Sequence, residues 1–162
     1  MNKRLFLSVC TTHFLLACST VSRQASTPTS SNYPNNPAKR QDIVMQAMAM
    51  LDRSYTYGGK KLHTGFDCSG LVTFVYKESA GIPLQGSAAQ MAQVAKPIDP
   101  TQAHPGDLVF FNTLGSPFSH VGIYVGSGKF IHAANEKTGV KSERLSSPYW
   151  AKRFEGYRTV FA

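Results

Sequence analysis

Cys68 sits in Phe66-Asp67-Cys68-Ser69-Gly70, and two histidines follow it on strand-like runs. His120 opens His120-Val121-Gly122-Ile123-Tyr124, and His132 lies in Phe130-Ile131-His132-Ala133. A thiol attacks a carbonyl carbon as the thiolate, so something must take its proton, and imidazole has a suitable pKa. His120 is the candidate base, and His132 the candidate group that orients it through the second ring nitrogen. Cys68 at the start of a helix adds the pull of unsatisfied amides on negative charge. Buried cysteines are more often small core residues, but Asp67, Ser69 and Gly70 are poor core company. Zinc held by Cys68, His120 and His132 is the other chemistry these side chains allow, though no close ligand pair is present. Neither a metal nor an organic cofactor is expected. His63 and His104 read as loop residues.

The two histidines can meet only if their strands pair in the right register. Reading Gly126-Ser127-Gly128 as a three-residue turn pairs Val125 with Lys129, so paired residue numbers sum to 254. His120 then faces Ala134, and His132 becomes its diagonal neighbour on the same face, about 7–8 Å away between backbones. A two-residue turn would send the two rings to opposite faces.

The elements that must hold these residues follow from periodicity. Ile43, Val44, Ala47, Met48 and Leu51 predict an amphipathic helix over about 40–53. Leu71, Val72, Val75 and Tyr76 line a second helix over 68–79 that Gly81 stops, and a third covers 87–95 before Pro97. After Pro105-Gly106 the pattern turns to strands at 107–112, 119–125, 129–134 and 157–161. Helices first and an antiparallel sheet afterwards make an α+β domain.

Ahead of that domain the composition changes. Lys3 and Arg4 precede an apolar run, Leu5 to Ala17, too short to span a bilayer and interrupted by Thr11, Thr12 and His13. The segment ends Leu15-Leu16-Ala17-Cys18, which resembles a bacterial lipobox. The expectation is a lipoprotein signal over 1–17, with Cys18 lipidated; a plain secretory signal or an uncleaved anchor are the alternatives. The same resemblance implies that Ser19 after the cysteine, rather than an acidic residue, favours the outer over the inner membrane. Residues 18–38 then form a flexible tether rich in Ser, Thr, Pro and Asn, too poor in large apolar groups to offset chain entropy. The folded domain is expected over 39–162. With Cys10 lost in the signal and Cys18 acylated, Cys68 has no disulfide partner.

The net charge is +8, and removing Lys3 and Arg4 with the signal lowers it by two, to +6. An anionic wall polymer or membrane surface suits that balance, although it also suits ordinary solubility. For an exported chain without a basic run carrying aromatics, nucleic acid is not an expected partner.

Five segments in order carry a resemblance: Tyr55-Thr56-Tyr57-Gly58-Gly59, Asp67-Cys68-Ser69-Gly70, Pro105-Gly106-Asp107-Leu108-Val109-Phe110-Phe111, Ser119-His120-Val121-Gly122-Ile123-Tyr124 and Phe130-Ile131-His132-Ala133. From about 41 to 160 the chain resembles the NlpC/P60 family of papain-like cysteine peptidases, especially its small Gram-negative lipoproteins. The resemblance implies a papain-like α+β fold and a triad of nucleophile Cys68, base His120 and orienter His132. It also implies a supporting role for Tyr55 at the reacting carbonyl, where packing is the plainer alternative. Asp67 and Ser69 match positions that in some members hold a free amine of the peptide stem, and Asp67 also suits a helix N-cap.

The activity implied is hydrolysis of peptidoglycan stem peptides through a thioester, at the D-alanyl–meso-diaminopimelate crosslink or the γ-D-glutamyl–diaminopimelate bond. Cysteine before histidine favours a peptidase over the permuted acyltransferases. A monomer is expected, held to the membrane by its lipid. A catalytically silent wall-binding lipoprotein, or an amidase or acyltransferase using the same thiol, are the rival readings. Leu84-Gln85-Gly86-Ser87 departs from the family's usual Leu-Pro-Arg-Thr/Ser, which bears on specificity.

Overall fold

The computed structural model describes residues 32–162, so the signal, Cys18 and most of the tether lie outside the described residues. Helix α1 runs Pro37–Ala49, three residues earlier at its start than the periodicity predicted and four earlier at its end. Asn36 sets the start: its side chain accepts from the Ala38 and Lys39 amides, and Pro37 occupies the first turn, where its missing N–H costs nothing. The end is set from outside. Asp52 turns left-handed (φ 63°), and residues 52 and 53 exchange backbone hydrogen bonds with Val140 at 3.0 and 2.8 Å. Part of the expected tether packs on the domain: Tyr33 bridges to Phe161 and its amide donates to Val160 at 2.9 Å.

A two-stranded hairpin, β1 (Lys60–Lys61) and β2 (Gly65–Phe66), leads into α2 (Cys68–Ala80), which ends at left-handed Gly81 as expected. Helix α3 (Ala88–Val94) opens with a capping box between Ser87 and Gln90. Then come β3 (Lys96–Ile98), β4 (Leu108–Phe111), β5 (His120–Gly126), β6 (Lys129–Asn135), β7 (Gly139–Arg144), the four-residue helix α4 (Pro148–Ala151) and β8 (Phe154–Thr159). The strands form one antiparallel sheet in the order β3-β8-β4-β5-β6-β7, the α+β arrangement expected. Strand β8 starts three residues before its predicted start, and its expected last residues, Val160 and Phe161, leave the sheet to meet Tyr33. Strand β7 gave no hydrophobic run because it is a charged edge, Lys141-Ser142-Glu143-Arg144.

The β5–β6 hairpin corrects the turn while keeping its consequence. Gly126 pairs with Lys129, leaving a two-residue turn of Ser127 (φ 52°) and Gly128 (φ 68°), the left-handed pair of a type I′ turn. A bulge at Val125 then restores the register, so Tyr124 faces Phe130 and Ile123 faces Ile131. Both pairs sum to 254, as the histidines require.

The sheet is covered on both faces. Leu71, Val75, Leu108, Phe110, Ile123 and Ile131 belong to the large core on the helix side. Val109, Phe111, Phe130 and Trp150 form a smaller, mostly aromatic cluster on the other side, roofed by α4. At the base of the helix side Arg40 is paired with buried Asp107 at 2.7 Å, which explains the Pro105-Gly106-Asp107 motif as a structural latch. Tyr76 strengthens it by donating its hydroxyl to the Gly106 carbonyl at 2.6 Å.

Candidate active site

Cys68 is the first residue of α2, and Asp67 caps that helix. One Asp67 carboxylate oxygen accepts from the Gly70 amide at 2.6 Å and from the Ser69 hydroxyl at 3.0 Å. The other accepts from the Gly58 amide at 2.9 Å, so the cap also ties down the Tyr57-Gly58-Gly59 loop. The same loop explains Gly70: a Cβ there would lie 1.9 Å from the Gly59 carbonyl oxygen. Helix start and loop are thus locked together, and Cys68 stands half-buried at their junction, a free thiol.

Burial pushes the Cys68 thiol up, opposed by backbone amides of Val121, Ser69 and Cys68 itself. The Val121 amide locates the sulfur: it lies against the start of β5, beside His120. Tyr55 is close as well. It is bridged to Phe66, and its phenol is pushed up by burial and then by the negative charges of Cys68 and Asp67.

His120 pairs with Phe111 across β4–β5 and shares its face of the sheet, and His132 shares the face of Phe130 on β6. The restored register brings the two rings together: His120 Nε2 and His132 Nδ1 are 2.8 Å apart. That bond leaves His120 Nδ1 available to the thiol. It also uses one nitrogen from each ring, leaving a poor donor set for a metal shared with Cys68. Both imidazoles are enclosed by aromatic side chains, with Trp150 stacked on His120 at 5.5 Å and edge-on to His132 at 4.8 Å.

Burial accordingly pushes His120 down to about 4, against a smaller upward pull from Asp67. His132 is held well below the usual imidazole range by burial, then by the neighbouring His120 and Lys141 charges. At neutral pH the resting pair is therefore uncharged. For His120 Nδ1 to accept a proton, its own must sit on Nε2 and be donated to His132 Nδ1 across that 2.8 Å contact.

Two cavities border this group and meet at Ala134 and Asn135. One, about 380 Å³, is lined by Tyr55, Glu136 and Lys137; the other, about 270 Å³, by His132, Lys141 and Ser147. Together they make a groove that runs from Tyr55 to His132 and Trp150.

The structure thus brings together Cys68, His120, His132, Tyr55, Asp67 and Ser69. His63 is exposed in the β1–β2 turn, and the His104 amide donates to Asp107 at 2.8 Å, serving the latch. The aromatic enclosure went unread. Trp150 is the chain's single tryptophan, a possible signal, but nothing in its spacing ties it to the histidines.

A thiol at a helix start facing a histidine pair on an antiparallel sheet defines the papain-like α+β class. The sequence model of the NlpC/P60 family matches residues 52–159, and the chain belongs to that family. It is 35% identical over 147 residues to murein DD-endopeptidase MepH of Escherichia coli (strain K12), covering 88% of this chain and 54% of that protein. It is 39% identical over 117 residues to gamma-DL-glutamyl hydrolase of Bacillus subtilis (strain 168), covering 72% of this chain and 28% of that protein. A Staphylococcus aureus structure described as similar to lipoprotein, NLP/P60 family, superimposes with a TM-score of 0.70 at 33% identity, covering 82% of this chain and 45% of that one. The alignments thus span between about a quarter and a little over half of these relatives' lengths.

Proposed function

We propose that this chain is a cell-wall hydrolase, a cysteine endopeptidase that cuts peptide stems or crosslinks of peptidoglycan through a thioester on Cys68. The observation that carries the reading is the 2.8 Å contact between His120 Nε2 and His132 Nδ1, which turns the remaining His120 nitrogen into a base for the thiol. Murein DD-endopeptidase MepH and gamma-DL-glutamyl hydrolase, as relatives, support the substrate class.

The Cys68 sulfur attacks the scissile carbonyl carbon as its proton passes to His120 Nδ1. Because thiol and imidazole both rest uncharged, this transfer accompanies attack. The carbonyl oxygen gathers negative charge opposite the amides at the start of α2, which are already oriented. The carbon–nitrogen bond then breaks, the amine leaves with the proton from His120, and an acyl thioester remains. Water attacks it, giving its proton to His120, and the sulfur departs and recovers that proton. Every step uses protein groups and water. His132 holds the His120 ring through both proton transfers. Tyr55 faces the reacting carbonyl, while Asp67 and Ser69 border the amine end of the stem.

Residues 1–17 act in this reading as a lipoprotein signal, with Cys18 lipidated and the domain facing the periplasm, more suited to the outer than the inner membrane. Among the described residues no helix is long and apolar enough to cross a membrane. Radiolabelled palmitate incorporation that Cys18→Ala abolishes is the expected result, and unlabelled protein would sink the anchor.

For the activity, the purified chain is incubated with crosslinked muropeptide dimers and the products are identified by mass spectrometry. Dimers should become monomers at the D-alanyl–meso-diaminopimelate bond, and Cys68→Ala should prevent it. Shortened stems with intact crosslinks would move the cut to the γ-D-glutamyl bond. No product from folded protein with a reduced thiol would favour wall binding without catalysis.

A further inference from the structure

We propose that Trp150 is a positioning residue for the histidine pair: its indole, rather than a hydrogen-bonding fourth group, orients both imidazoles and excludes water from them. The inference rests on the reading of His120 as base. For His120 to accept a proton at Nδ1, its own must sit on Nε2 and be donated to His132 Nδ1. His132 must then carry its proton on Nε2. A hydrogen bond from that nitrogen would ordinarily fix the ring, but His132 Nε2 is buried and has no partner. Beyond His120 itself, no polar group therefore sets how the second ring is turned.

Aromatic contact supplies what the hydrogen bond does not. Trp150 lies nearly parallel to His120 (27°, 5.5 Å) and nearly perpendicular to His132 (81°, 4.8 Å). Phe111 reaches His120 at 6.3 Å and Phe130 reaches His132 at 5.0 Å, so Trp150 is the neighbour shared by both rings. With one face against one imidazole and an edge against the other, the indole holds them near the 82° interplanar angle at which their nitrogens meet. Trp150 is itself held by Phe111 at 4.8 Å and Phe130 at 5.1 Å.

The charges around the pair cannot replace this support. Asp67, the cap of α2, favours a charged His120, and Lys141 from β7 disfavours a charged His132. Burial has the largest effect on both rings, and Trp150 lies against both of them.

The test compares Trp150→Leu and Trp150→Phe with the unaltered full chain and Cys68→Ala, after circular dichroism has established folding. Two readouts are taken: kcat and KM on crosslinked muropeptide dimers across pH, and the imidazole titrations by NMR, which need no substrate. Trp150→Leu should lower kcat roughly tenfold to a hundredfold with KM moved less than about threefold. Its His120 titration and the acid limb of kcat/KM should rise from about 4 toward 6.5. Trp150→Phe should recover most of kcat and show a smaller rise. A folded Leu variant whose imidazole titrations match the unaltered chain overturns the proposal, whatever its kcat. Should Leu not fold, an unshifted titration in the Phe variant overturns it equally. Absence of Cys68-dependent cleavage in the unaltered chain would refute the endopeptidase reading, while NMR would still decide the role of Trp150.

Discussion

The two faces of the sheet do different work. On the helix side, α1 to α3 bury a broad, mainly aliphatic core, and that packing aims the nucleophile: Cys68 is fixed where α2, the Gly58-Gly59 loop and β5 converge. On the other side a cluster of four buried residues and a four-residue helix enclose the two histidines. The first face delivers position and the second delivers electrostatics, because an imidazole shut away from water is kept neutral and ready to accept a proton. Placement of the thiol should therefore be robust, whereas the behaviour of the base hangs on a few aromatic contacts.

Replacing the base tests the thin face most severely. His120→Ala is expected to lower kcat/KM by about 10³-fold, equivalent to about 4 kcal/mol, while Cys68 remains titratable by a thiol reagent in the folded protein. A loss under tenfold would break the assignment of roles to the two faces.

Acid should also strike the thin face. Burial lowers His120 to about 4 in the folded chain against 6.5 for an ordinary imidazole, so between those values the unfolded chain binds more protons. That contribution to stability is present above 6.5 and is lost as pH falls through about 4, amounting to about 3 kcal/mol. Urea unfolding at stepped pH measures it. Trp150 fluorescence should fall over the same range, since an imidazolium stacked on the indole quenches it. Stability unchanged between pH 7 and 4.5 would show that the histidines are not shielded.

On the helix side, Gly70→Ala drives a Cβ into the Gly59 carbonyl and should cost about 1–3 kcal/mol. Cys68 alkylation should slow as the helix start shifts, yet the histidine titrations should stay put. If those titrations move as well, the two faces are coupled and the comparison fails.

The smallest effect belongs to the entry to the domain. Deleting 32–36 removes the Asn36 cap and the Tyr33 bridge and should lower stability by about 1 kcal/mol. Thermal melting checks it, with kcat/KM expected unchanged because both contacts lie away from Cys68.

Much of this was legible in the chain. The helix start at Cys68, its Gly81 stop and the strands bearing the histidines are local patterns: apolar periodicity, a left-handed glycine, a short glycine-rich turn. The His120–His132 meeting could be reasoned from strand parity, although the turn itself was misread. Its Ser127-Gly128 loop needs the bulge at Val125 to keep the register, and a bulge has no sequence period of its own. Strand β7 was missed because an edge strand in water shows no apolar alternation, and α4 because one turn of helix shows no repeat.

By itself the sequence determined which side chains could do chemistry and the local elements on which they ride, since propensity and patterning act between near neighbours. Tertiary structure decided what those side chains are like as reagents. Only packing brings Trp150 onto His120 and His132, sets the Val121 amide toward the sulfur, and leaves His132 Nε2 buried without a partner. A proton's preference for one atom over another depends on solvent exclusion and nearby charge, and those arise from contacts between residues far apart in the chain.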